Sequence, residues 1–193
     1  YATGGKVRSS PALEADGSTV YVGSWESNGT LHAVHASNGT RKWAFQTGSY
    51  IESSPAVGTD VVFVGSDDHK LYALSASDGT LLWSYETGGQ IEGSPALSRD
   101  GSTVFIGSMD GKLYAVSTLD GTEMWTYTTG GAIEGAPAIS ANALTIFVGS
   151  ADKKLHAILI REIPFCARGP DVANSSAARD CQNTTIGHNC VYT

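Results

Sequence analysis

Four glycines set the phase of this chain. Each sits in the middle of a Val-Gly-Ser or Ile-Gly-Ser triplet, and they stand at Gly23, Gly65, Gly107 and Gly149, an interval of 42 residues every time. Two further landmarks keep nearly the same step. The Pro-Ala pairs begin at Pro11, Pro55, Pro95 and Pro137, spaced 44, 40 and 42, and Trp43, Trp83 and Trp125 follow at 40 and 42. Each of these tryptophans comes a few residues after an Asn-Gly-Thr or Asp-Gly-Thr turn. Self-similarity at a fixed period of this length is the mark of a repeat array, in which each unit buries its apolar faces only against its neighbours.

Within a unit the pattern is strand-like. In the third, Ser94-Pro95-Ala96-Leu97 leads through Asp100-Gly101 into Thr103-Val104-Phe105-Ile106-Gly107. Asp110-Gly111 then precedes Lys112-Leu113-Tyr114-Ala115-Val116, and Asp120-Gly121-Thr122 precedes Glu123-Met124-Trp125-Thr126-Tyr127. Asp-Gly between alternating runs is a hairpin signal, because a turn that matches strand twist needs positive φ. The spacing predicts an all-β fold: four-stranded antiparallel meanders stacked radially as the blades of a β-propeller. The blades fall at about 1–48, 49–89, 90–131 and 132–163, followed by an irregular cysteine-containing tail, 164–193.

The landmarks then acquire structural roles. The glycine of each triplet sits at a strand end where a side chain would crowd neighbouring backbone, and the proline lacks a donor and is confined to a strand start or free side. Each tryptophan offers a large flat face to the adjacent blade. Trp43, Trp83 and Trp125, with the turn glycines Gly39, Gly79 and Gly121, are expected to be the blade-docking residues.

At this point the residues resemble a known family. Ala73-Leu74-Ser75-Ala76-Ser77-Asp78-Gly79-Thr80-Leu81-Leu82-Trp83 is similar to the tryptophan-docking motif of the pyrroloquinoline-quinone-type (PQQ-like) propeller repeat, and so are residues 33–43 and 115–125. The likeness covers about residues 1–160. The family's usual Asp after the first Ala is replaced by His35, Ser75 and Ser117, and its usual Thr before the Gly by Asn38, Asp78 and Asp120. The docking Trp and turn Gly are kept, so the resemblance implies the fold. It also spans two functions, quinone-dependent dehydrogenases and propellers that carry no cofactor. The dehydrogenases typically have a vicinal cysteine pair, whereas Cys166, Cys181 and Cys190 are not adjacent and lie outside the repeats. Fold alone does not carry function, and the expectation is a non-enzymatic member with no cofactor.

Charge and composition exclude other classes. Nineteen acids against twelve Lys and Arg give a net charge of −7; no basic stripe is available for a phosphate backbone, so nucleic acid is not a partner. The longest apolar runs are strand-sized, such as Ala157-Ile158-Leu159-Ile160, and no segment spans a bilayer. The chain has no initiator Met and reads as a processed piece of something longer. Its cysteines cluster beside two of four Asn-x-Ser/Thr sequons, Asn28, Asn38, Asn174 and Asn183, which points to an oxidising, glycosylating route and an extracellular or periplasm-like location. N-linked glycans are the only non-protein groups expected. Three cysteines permit one internal disulfide and leave one thiol for another chain.

For chemistry, the candidates are sparse. The loops at Asp16-Gly17, Asp100-Gly101 and Asp110-Gly111 lack the alternating acids that ligate calcium, and read as turn formers. His32 and His156 occupy the repeat position of Tyr72 and Tyr114, a packing site, and no histidine pair has metal-ligand spacing. The sharpest constellation precedes each Pro-Ala pair: Arg8 in the first unit, then Glu52, Glu92 and Glu134. On the innermost strands these four residues form an axial polar ring, read either as a cation or small-ligand site or as a solvated rim whose acidic repulsion Arg8 partly offsets.

The first unit starts inside the repeat, at the stretch matching Tyr85 to Gly89, and the fourth has no Asp-Gly-Thr turn and no Trp. Two outcomes follow. Tyr1 to Gly5 completes the fourth blade and closes a four-bladed ring, or the array is open and its edges pair with other copies or other proteins. The leading expectation is a secreted structural or interaction module, self-assembling into an oligomer or filament. The others are a fragment of a PQQ-dependent dehydrogenase and a ligand binder at the glutamate ring.

Overall fold

The computed structural model describes residues 1–26 and 28–160. They form fifteen strands in four antiparallel sheets. The first sheet holds β1 (Ala12–Leu13), β2 (Thr19–Ser24), β3 (Thr30–His35) and β4 (Arg41–Gln46) in that order. The second holds β5 (Ala56–Val57), β6 (Val61–Gly65), β7 (Lys70–Ser75) and β8 (Leu81–Glu86), and the third β9 (Ala96–Leu97), β10 (Thr103–Gly107), β11 (Lys112–Ser117) and β12 (Glu123–Thr128). The fourth has three strands among the described residues: β13 (Ala138–Ile139), β14 (Thr145–Ser150) and β15 (Lys154–Leu159). The all-β meander expected from the repeat is therefore the architecture found. Among the described residues no helix is long and apolar enough to cross a membrane.

The turns show why Asp-Gly recurs. Gly39, Gly79 and Gly121 have φ of 70°, 75° and 74°, values at which a Cβ is disfavoured. The preceding side chain completes each turn: Asn38, Asp78 and Asp120 each accept from the backbone N–H and the hydroxyl of the Thr two residues on. Just beyond, Ala33, Ala73 and Ala115 pair with the three tryptophans while Lys42, Leu82 and Met124 are skipped, a bulge at one position in three blades. Bulges add local twist where each outer strand presents its Trp.

The uneven spacings also have a structural origin. The β2–β3 connection of the first blade is two residues longer than its counterparts, and the first turn of the second is two shorter, closing with Gly58 N–H donating to Val61 O. The two changes cancel, which holds the glycines in phase while Pro and Trp drift.

Apolar burial lies between sheets. Tyr21, Leu31, Ala33 and Trp43 of the first blade pack with Ile51, Val62, Val64, Tyr72 and Leu74 of the second. The second packs on the third, and the third on the fourth, through equivalent residues. Middle strands covered on both faces read as continuous apolar runs, as in Leu71-Tyr72-Ala73-Leu74, all buried.

Tyr1 to Gly5 does not complete the fourth blade. Tyr1 Oη lies 2.9 Å from His32 Nδ1, and Cβ atoms on Gly4 and Gly5 would meet Glu26 and the Trp25–Glu26 backbone. This segment packs on the first blade, as Tyr85 packs on Tyr114 of the third. Forward packing of this kind does not require a place in the fourth sheet, which among the described residues has only β13, β14 and β15.

Candidate functional site

The first strands of the blades converge through a serine ladder. Ser10 N–H donates to Ser54 Oγ at 2.8 Å, and Ser54 N–H to Ser94 Oγ at 3.0 Å. In the fourth blade Ala136 holds this position and has no hydroxyl to receive Ser94. The ladder was not anticipated from sequence, although Ser-Pro-Ala, rather than Pro-Ala alone, repeats at Ser10, Ser54 and Ser94.

Two residues before each rung stand Arg8, Glu52, Glu92 and Glu134. Arg8 Nη1 lies 3.3 Å from Glu52 Oε1, and its guanidinium sits 4.0 Å from the centre of the Trp25 ring. Trp25 in turn stacks on Tyr50, with centroids 4.7 Å apart. A stacked aromatic beneath a guanidinium is a cation–π arrangement, and it orients Arg8 toward the second blade. Burial, together with the charges of Glu52 and Glu134, raises the Glu92 pKa. Three carboxylates therefore sense each other in sequence around the rim, with Arg8 at its first-blade end.

Asp67 belongs to the same neighbourhood. Its N–H donates to Tyr50 O, while its Oδ1 is buried without a hydrogen-bond partner. Burial, reinforced by Glu52, Glu92 and Asp68, pushes its carboxyl up to about 6. The residues at this repeat position are Trp25, Asp67, Met109 and Ala151, so only one blade carries an acid there. Among the described residues no group of three or more His, Cys, Asp and Glu is placed to hold a metal ion.

At the outer side of the blades, the turn acids pin the linkers. Asp68 Oδ2 accepts from Gly48 N–H and from Tyr72 Oη, both at 2.6 Å. Asp110 repeats this with Gly88 and Tyr114, and Asp152 with Gly130 and His156. The ring at the Tyr/His position is thus a packing group with a polar tip tied to an acid four residues earlier. In the first blade, whose turn is longer, His32 instead contacts Ser24 Oγ at 3.0 Å, and burial lowers its pKa.

Trp43 Nε1 donates to Ala76 O and its ring covers Gly79; Trp83 Nε1 donates to Thr118 O and its ring covers Gly121. Trp125 packs against Phe105 within the cluster shared by the third and fourth blades. Gly39 differs from its two counterparts: nothing lies within 4 Å of where its Cβ would be. Asn38 is engaged in its turn, and both Asn28 and Asn38 are exposed. Asn174, Asn183, Cys166, Cys181 and Cys190 lie outside the described residues.

Among the described residues nothing covers the two ends of the array. On the outward face of the fourth sheet Leu155 is 74% exposed, whereas Leu31, Leu71 and Leu113 at the same position are fully covered by the next blade. No strand of the described residues pairs with the outer edge of β15.

The family model described as outer membrane protein assembly factor BamB matches residues 2–97 and 90–162. The crystal structure of BamB from Moraxella catarrhalis, a PQQ-like β-propeller, aligns with a TM-score of 0.72 at 24% identity, over 82% of this chain and 48% of that one. The chain thus spans about half the length of that structure. No curated protein matches it.

Proposed function

Because this chain belongs to the PQQ-like propeller family of the outer membrane protein assembly factor BamB, we propose that it is a non-enzymatic protein-interaction module working outside the cytoplasm. The observation that carries the reading is the end face of the fourth sheet. Leu155 and Leu159 are exposed there beside a strand edge that no described strand occupies. An extended segment of another protein can add to such an edge through main-chain hydrogen bonds and rest its apolar side chains on the leucines. The cysteines clustered beside the Asn174 and Asn183 sequons support an oxidising, glycosylating compartment.

The test is a fluorescence-anisotropy titration with a labelled strand-forming peptide of alternating Val and Thr. Saturable binding is expected, weakened at least about tenfold by Leu155→Lys with Leu159→Lys. No binding, or binding indifferent to the two substitutions, overturns the interaction face. Dye reduction that appears on adding pyrroloquinoline quinone and calcium overturns the non-enzymatic part.

A further inference from the structure

The two open ends of the array are complementary to each other. At each internal joint, the triplet glycine of one blade receives an isoleucine of the next. A Cβ on Gly23, Gly65 or Gly107 would lie 2.1–2.2 Å from Cγ2 of Ile51, Ile91 or Ile133, each fully buried. At the fourth blade, none of the described residues comes within 4 Å of where a Gly149 Cβ would lie. At the first, the residue in the isoleucine position is Val7, equally β-branched and 49% exposed. One receiving slot and one inserting side chain are left over, at opposite ends of the same chain.

We infer that a second copy of this chain docks head-to-tail, the Val7 of one copy seated over the Gly149 of the other, and that two such joints close a ring of two copies. The inference rests on the reading of the fourth-blade face as an interaction surface, and it names that surface's partner.

Two further half-interactions fit the same joint. In the ladder, backbone N–H at one rung donates to the serine hydroxyl of the next. Continued across the joint, Ala136 N–H donates to the Ser10 hydroxyl of the second copy; an alanine suffices there because the rung contributes only its N–H. At the rim, the order becomes Glu92, Glu134, then the Arg8 of the partner copy, then its Glu52. Arg8 would stand between two carboxylates at the joint between copies, where opposite charges specify partner and register. The first blade is open to match: Val20 and Val22 are partly exposed, whereas Val62 and Val64 beneath the preceding blade are fully buried. Two copies bring eight blades together, within the roughly four to eight that propellers hold, whereas three would bring twelve. A head-to-tail interface whose rotation closes gives a ring rather than a filament.

The experiment is sedimentation velocity with the full chain in reductant, across a concentration series centred on roughly 10 μM, a range that resolves ordinary subunit affinities. The expected species has twice the 20.1 kDa mass of one chain. Gly149→Ile fills the slot in open space, so the monomer keeps its fold, and the dimer is expected to weaken at least about tenfold. Arg8→Glu is expected to weaken it, and mixing Arg8→Glu with Glu134→Arg chains to restore it. A monomer throughout, a larger species, or a dimer indifferent to Gly149→Ile overturns the inference. A monomer that still binds the strand peptide leaves the interaction-face reading intact, whereas a monomer that binds none defeats both.

Discussion

The indole of Trp43 lies on the backbone of Gly79: a Cβ there would come within 2.7 Å of the ring, and the indole N–H donates to Ala76 O at 3.0 Å. Gly79 is thus glycine for two reasons, its φ of 75° and the ring above it, whereas Gly39, at a φ of 70°, has only the first. Gly79→Ala is expected to cost about 2–4 kcal/mol, backbone strain plus overpacking, and Gly39→Ala only about 1–2. Urea denaturation of the two variants measures the difference, and equal losses would remove the docking role of the indole.

Asp67 makes stability fall as pH rises. Its folded-state pKa of about 6 stands above the ordinary aspartate value of 3.8, so the folded state holds a proton that the unfolded state has released between those values. The contribution is fully present below about pH 4 and lost as pH passes through 6. The residue is partly exposed, and solvent screening reduces the effect to about 1 kcal/mol. Asp67→Asn is expected to be more stable than wild type at pH 8 and to lose that advantage at pH 4, in paired urea titrations. An advantage that does not change with pH would assign it to packing instead of charge.

Removal of one linker pin should loosen one joint. Asp68→Ala orphans Gly48 N–H and Tyr72 Oη together, an expected cost of about 2–3 kcal/mol, while Tyr72→Phe removes only one bond and costs about 1. Hydrogen exchange at Gly48 is expected to accelerate in Asp68→Ala and stay near wild type in Tyr72→Phe. Equal acceleration in both would mean that the ring, not the acid, holds the linker.

The serine ladder can be extended by one rung. Ala136→Ser supplies the hydroxyl that Ser94 N–H lacks and is expected to add about 0.5–1 kcal/mol, whereas Ser54→Ala removes an existing acceptor and costs about 1. A shift of the urea midpoint upward in the first and downward in the second checks both; a downward shift in Ala136→Ser would mean the fourth blade stands too far away for the bond.

The strands, turns and interblade packing were legible because each rests on a short-range rule repeated several times: Asp-Gly demands a positive-φ turn, and a large aromatic at a fixed register demands a neighbour. Differences between equivalent positions of the repeat were harder to read. Nothing in the sequence distinguishes Gly39 from Gly79, because the difference is made by a tryptophan one blade away. The sequence does not single out the solitary acid Asp67, whose raised pKa comes from burial and from Glu52 and Glu92 on another segment. The placement of Tyr1 on His32 was visible in principle, since Tyr85 lies in the same repeat position opposite Tyr114. The rim residues Arg8, Glu52, Glu92 and Glu134 were found by register alone, but the direction in which Arg8 leans is set by Trp25, at a position where the other blades carry Asp67, Met109 and Ala151.

Four sheets share three apolar clusters, and every cluster belongs to two sheets at once. A blade cut from its neighbours would therefore have no interior of its own. Damage at one interface is felt by two blades, while the two outermost sheets are each held from one side only. Under force or denaturant, the array should open from its ends inward, as a stack of coins slides apart, with the second and third sheets the last to part.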